Sequence, residues 1–223
     1  MSLRMSLKVS ENKKNTDVQD GREEAVDPDL EYVRQAQEGD TRAYEELVLR
    51  HQKRAFNVAY RILGDYDEAL DITQDAFIQA YRSLPGFRME SRFARWLLTI
   101  AVNLCRNRLK YWKRRARNRT RSIDEPVETE DSSMQREVAD PSPSVLDIVG
   151  SRQTGEIIKE EMMHLDEDHR TVLVLREVEE LSYEEMAEVL GVAAGTVKSR
   201  LHRGRSELKE RLKKRLGERY VRQ

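Results

Sequence analysis

The chain has 223 residues, with 40 Lys or Arg against 41 Asp or Glu, a net charge of −1, and 36% charged against 38% hydrophobic residues. So much charge excludes a single large apolar core and favours small helical units with solvated faces. Five prolines and ten glycines are few for an all-β chain of this length, which needs many tight turns, and no apolar run approaches the roughly 20 residues that span a bilayer.

The first residues, MSLRMSLKVSENKKNTDVQDGREE, lack the apolar core of a signal peptide. The single cysteine, Cys105, cannot form an intramolecular disulfide, so a cytoplasmic location without membrane insertion is expected. Residues 1–26 are polar and aperiodic, the composition of a disordered extension. Helical patterning starts near Pro28, where DLEYVRQAQEG sets Leu30, Val33 and Ala36 on one face. A second helix, TRAYEELVLRHQKRAFNVAYRIL, takes Thr41 as its N-cap and turns Tyr44, Leu47, Val48, Ala55, Val58 and Ala59 inward. The third, DYDEALDITQDAFIQAYRSL, buries Ala69, Ile72, Ala76, Phe77 and Ala80 and leaves Asp71, Gln74, Asp75 and Arg82 outward. The turn Pro85–Phe87 stops it.

The fourth helix, SRFARWLLTIAVNLCRNRLKYWKRR (91–115), puts Phe93, Leu97, Ile100, Leu104 and Trp112 on one face. A second stripe, Arg92, Arg95, Thr99, Asn103, Arg106, Lys110 and Lys113, contains no acid. Surface helices ordinarily mix both signs; a uniformly basic face suits phosphate. Trp96 shares the apolar register and reads as core, whereas Trp112 can pack on the bundle or reach nucleic acid. Cys105, beside Leu104 and Ala101, reads as a small buried residue. Residues 27–115 thus form one small helical domain, and 116–147, rich in Pro, Ser and acids, an acidic flexible linker. Residues 148–223 form a second domain with helices near 149–163, 167–178, 183–190 and 196–216. The expected fold is all-α: two small helical domains joined by a flexible linker.

Charge is segregated along this plan. Arg88–Arg121 holds 12 bases against one acid, Ser122–Asp147 8 acids against one base, 156–190 12 acids against 3 bases, and Thr196–Arg222 11 bases against 3 acids. Two basic surfaces can therefore meet phosphate.

The second basic block holds the most specific motif, LSYEEMAEVLGVAAGTVKSRLHRGRSELKERL. Ser182 and Glu185 have the spacing of a capping box; Met186, Ala187 and Leu190 face inward; Gly191 suits the turn; and Val192, Val197 and Leu201 anchor a second helix. This is a helix-turn-helix layout, whose second helix enters the major groove. Lys198, Ser199, His202, Arg203 and Arg205 are its outward residues, and Thr196 opens it where free N–H groups favour phosphate.

With both basic helices in place, the chain from about Asp29 to Leu212 resembles bacterial RNA polymerase sigma factors of the extracytoplasmic-function (ECF) group. DITQDAFIQAYRSL is similar to the second conserved region, FRMESRFARWLLTIAVNLCRNRL to the loop and helix that open the promoter, and LREVEELSYEEMAEVLGVAAGTVKSRLHRGRSEL to the fourth conserved region. The resemblance implies that 27–115 is region 2, binding core polymerase and the minus-ten element, and that 148–223 is region 4, binding the minus-thirty-five element. It places Asn103 on a flipped base, with the loop Phe87, Arg88, Met89, Glu90, Ser91 and Arg92 as the pocket's other wall, and with Arg106 and Lys110 on the strand. A neutral amide can both donate to and accept from a base edge, though Asn103 can equally be a polar surface residue. Gln74 and Asp75, flanked by Asp71 and Arg82, match the positions that grip a coiled coil of the polymerase's largest subunit. Arg176 matches a position supporting upstream DNA, with a salt bridge to Glu179 or Glu180 as the alternative. The family also implies that the linker threads the RNA exit channel and that an anti-sigma factor holds the protein inactive. Met89 stands where relatives often carry glycine, His202 where some are aromatic, and Asp166 where proline is common.

Other functions find little support. His51, His164, His169 and His202 are scattered without metal-ligand spacing, and no glycine-rich phosphate loop or nucleophile elbow occurs. No enzyme, cofactor, metal or small-molecule substrate is expected. The serious rival is a stand-alone helix-turn-helix regulator that binds duplex DNA as a dimer; such a protein has no need of the acidic-then-basic helix pair at 65–115.

Overall fold

The computed structural model describes residues 27–120 and 152–217, all helix and turn, with no strand among the described residues. The expected extension, 1–26, and most of the expected linker, 121–147, lie outside them. Four helices form the first unit: α1 (Leu30–Gln37), α2 (Thr41–Leu63), α3 (Tyr66–Ser83) and α4 (Phe93–Thr120), with a 3-10 turn at Leu84–Gly86. The second holds α5 (Arg152–Met163), α6 (Glu167–Glu177), α7 (Tyr183–Leu190) and α8 (Ala194–Leu216).

The caps explain the helix starts, and the helices correct two expectations. Asp40, not Thr41, caps α2: its carboxylate accepts from the N–H groups of Arg42 (2.8 Å) and Ala43 (3.4 Å). A carboxylate there also meets the positive end of the helix dipole. Asp65 does the same for α3 and Asp166 for α6, so the aspartate at the position where the resemblance expects proline has a capping role. Ser182 and Glu185 form the expected capping box. The second correction concerns α4, which continues through 116–120, residues expected to be linker. That stretch contains no breaker, and Arg and Ala favour helix.

Two apolar clusters hold the molecule together. One lies within the first unit and joins Val33, Leu47, Ala55, Phe77, Phe93 and Leu97, with Trp96 packed against it as its register suggests. The other is shared. Val58, Ile62, Leu98, Val102 and Cys105 of the first unit are continuous with Val172, Leu175, Met186, Val197 and Leu201 of the second, and Trp112 packs on the same cluster. The two units therefore meet along a buried seam. Gly64, which closes α2 at φ +80°, also lies on it: a Cβ there would fall 2.5 Å from the Met163 sulfur of α5. Burial pushes the Cys105 thiol up to about 12.

Candidate nucleic-acid interface

α4 is held at its start by residues distant in sequence. The Phe93 N–H donates to Asp27 (2.9 Å), and the Gln37 side-chain amide donates to the carbonyls of Leu84 and Phe87 (2.8 Å each). These contacts fix the turn that launches the loop 87–92. Phe87 is not a free wall of that loop: it is buried and stacks on Trp96 at a centroid distance of 4.5 Å. It supports the loop from the core, because its ring follows Leu84 onto the packed side of the turn. Arg88, Glu90 and Arg92 are exposed and Ser91 is half-buried. Met89 adopts φ +57°, the left-handed region that costs a non-glycine residue on the order of 1 kcal/mol. That is the physical reason glycine suits this position; here the Met89 side chain packs against the first cluster.

Along α4, Asn103 and Lys110 are exposed. Other cations of the stripe are engaged by acids of the second unit. Arg95 pairs with Glu185 and, at 3.4 Å, with Glu188. Arg106 lies 3.8 Å from Asp168 and donates to the Leu190 carbonyl at 3.3 Å. Lys113 reaches Glu167 at 3.1 Å. The basic block at 88–121 thus meets the acidic block at 156–190 edge to edge.

On α8, Lys198, Ser199 and Arg203 are exposed, while Thr196 and His202 are half-buried. The Ser199 hydroxyl donates to the Thr196 carbonyl at 3.0 Å. Arg205 departs from the expectation. It follows buried Leu201 by four residues and precedes buried Leu208 by three, so it points into the α6–α8 seam. There its Nε (3.1 Å) and a terminal nitrogen (2.8 Å) donate to Glu177, and both side chains are 11% exposed. Arg176 does not take the salt-bridge alternative: it donates to the Leu181 carbonyl (2.8 Å) and lies over the Tyr183 ring, pinning the α6–α7 turn. Glu179 pairs instead with Arg54 of α2.

The third surface is α3. Asp71, Gln74, Asp75 and Arg82 are all exposed, as expected. Sequence reasoning missed their apolar neighbours Leu70, Ile78 and Tyr81, each more than 40% exposed. Leu70 and Ile78 stand four residues before and after Gln74, so the helical period alone places them on one face. Apolar side chains rimmed by charge mark a protein contact. Among the described residues no group of three His, Cys, Asp or Glu could hold a metal ion, and no helix is long and apolar enough to cross a membrane.

Comparison with known proteins finds a family match for each unit. Residues 47–118 match the family described as Sigma-70 region 2, and 155–208 the family described as Sigma-70, region 4. The chain is 34% identical over 182 residues to the ECF RNA polymerase sigma factor SigW of Bacillus subtilis, covering 81% of this chain and 95% of that one. It is 35% identical over 176 residues to the ECF RNA polymerase sigma-E factor of Escherichia coli, covering 79% and 90%. Two solved structures share the fold at a TM-score of 0.56 each. One is the sigma factor RpoE in complex with the anti-sigma factor NepR from Bartonella quintana (25% identity, 76% of this chain, 96% of that). The other is CnrH in complex with the cytosolic domain of CnrY (26% identity, 82% and 96%).

Proposed function

The chain belongs to the ECF RNA polymerase sigma factors, and we propose that it binds core polymerase, directs it to promoters carrying two upstream elements and helps melt the minus-ten element. The observation that carries this reading is one bundle bearing both a mixed apolar and acidic patch on α3 and a basic α4 with Asn103 exposed among cations. A duplex-binding regulator needs only the α7–α8 motif.

Region 2 is assigned to residues 27–120 and region 4 to 152–217. The α3 face, centred on Gln74, Asp75 and Ile78, docks on the coiled coil of the largest subunit. The α4 stripe neutralises the phosphates of the opened strand, and Asn103 reads an unstacked base between the helix and the loop 87–92. Lys198, Ser199 and Arg203 read the minus-thirty-five duplex in the major groove. Arg95, Arg106 and Lys113 already hold carboxylates, so the minus-ten surface works fully only once the seam between the units opens. An anti-sigma factor that clamps the closed pair keeps the protein inactive in the cytoplasm. In this reading the chain performs no catalysis of its own; polymerase does. Co-purification with core polymerase tests the docking assignment. Ile78→Asp should reduce retention at least tenfold without lowering the melting temperature; undiminished retention would refute it.

A further inference from the structure

A group of cations without a role so far lies on α2. Arg50, Lys53, Arg54 and Arg61, with Asn57 among them, share one face and line a cleft of about 450 Å3. Its opposite wall is Val178, Glu179 and Glu180 of the α6–α7 turn. Like charges three and four residues apart weaken a helix, so such a face is at its best under an anion. The molecule supplies part of one: Glu179 pairs with Arg54, and Asp29 with Arg50 at 3.3 Å. Lys53 and Arg61 are exposed and hold no ion pair among the described residues.

The acidic segment 179–188 links this face to the α4 surface. Glu179 engages Arg54 on α2 while Glu185 and Glu188, a short way along the chain, engage Arg95 on α4. One acidic segment of region 4 thus spans cations of two helices of region 2, α2 and α4, as a stretch of phosphates would. Resting on the sigma-factor reading, we infer that the basic face of α2 is a second track for promoter phosphates, continuous with α4, and that the α6–α7 turn covers it in the closed arrangement. From Arg50 to Arg61 the face runs about 16 Å at 1.5 Å per residue, room for several phosphates of one strand. An acidic helix from a protein partner would need apolar anchors, and Val178 is the one apolar residue lining the cleft.

The test uses Lys53→Gln/Arg61→Gln, a pair outside the ion pairs of the seam. Wild-type and variant protein are assembled with core polymerase, and affinity for a labelled promoter fragment, recovered by mapping new transcript starts, is measured across a salt series. Losing two phosphate contacts should flatten the slope of log K against log salt by about 1.4 to 1.8. Affinity should fall by the same factor on promoter and on non-promoter duplex, with polymerase binding unchanged. A wild-type slope in the variant would overturn the inference, as would intact DNA binding with lost binding of an anti-sigma protein, which would make the face a protein dock. Failure of wild-type protein to yield any new start would overturn the sigma-factor reading itself.

Discussion

Arg205 separates a structural arginine from a reading one. Replacing it with alanine removes two hydrogen bonds to Glu177, at 3.1 and 2.8 Å, and strips a carboxylate only 11% exposed of that guanidinium. An exposed ion pair contributes about 0–1 kcal/mol, whereas breaking a fully buried one costs about 3–5 kcal/mol. A pair this far into the seam should fall between, at about 2 kcal/mol. At about 2–4 °C per kcal/mol for a chain of this size, Arg205→Ala should melt roughly 4–8 °C lower. Arg203, exposed half a turn round the helix from the seam contacts, should do the opposite: Arg203→Ala leaves the melting temperature unchanged and weakens binding to the upstream duplex. Thermal melts followed by circular dichroism, paired with fluorescence anisotropy on that duplex, read both effects. An Arg205→Ala protein of unchanged melting temperature but reduced duplex affinity would show that the seam contact is dispensable and that the residue reads DNA after all.

Asn103→Ala should weaken discrimination at one base of the minus-ten strand by roughly 1–3 kcal/mol, read with a panel of base-substituted fork templates; equal loss at every position would contradict base reading. Gln37→Ala frees the carbonyls of Leu84 and Phe87 and should cost about 1–2 kcal/mol in unfolding by denaturant. It should also weaken minus-ten binding although Gln37 is not assigned to DNA; unchanged minus-ten binding would show that the loop needs no brace. The Cys105 thiol, raised by burial from 9.0 to about 12, should resist iodoacetamide at pH 8 until the chain is unfolded. Because the unfolded chain loses this proton first, the thiol's contribution to stability is full below about pH 9 and declines as pH rises towards 12. Rapid alkylation of native protein would contradict that burial.

The helices were legible because their apolar positions recur at the helical period, and α6 and α7 match the expected segments to within a residue. The cap of α2 was misplaced by one position because Asp40 and Thr41 are adjacent and both can cap. Arg205 was misread for a different reason. A cation on a basic helix looks solvent-facing until its distance from Leu201 and Leu208 is counted. Gln37 and Asp27 were invisible because their partners lie 47 to 66 residues away. The seam left a trace in the sequence: the basic block of 88–121 and the acidic block of 156–190 are complementary. Read singly, the basic block suggested phosphate; the fold sets it against the acidic one.

The central claim is that this chain gives polymerase a choice of start sites. Transcription of a fragmented bacterial genome by core polymerase, with and without the protein, followed by mapping of transcript ends, tests it most directly. The account predicts discrete new starts that share two upstream elements. No new starts, with the protein alone binding duplex DNA, would contradict it and leave a helix-turn-helix regulator in its place.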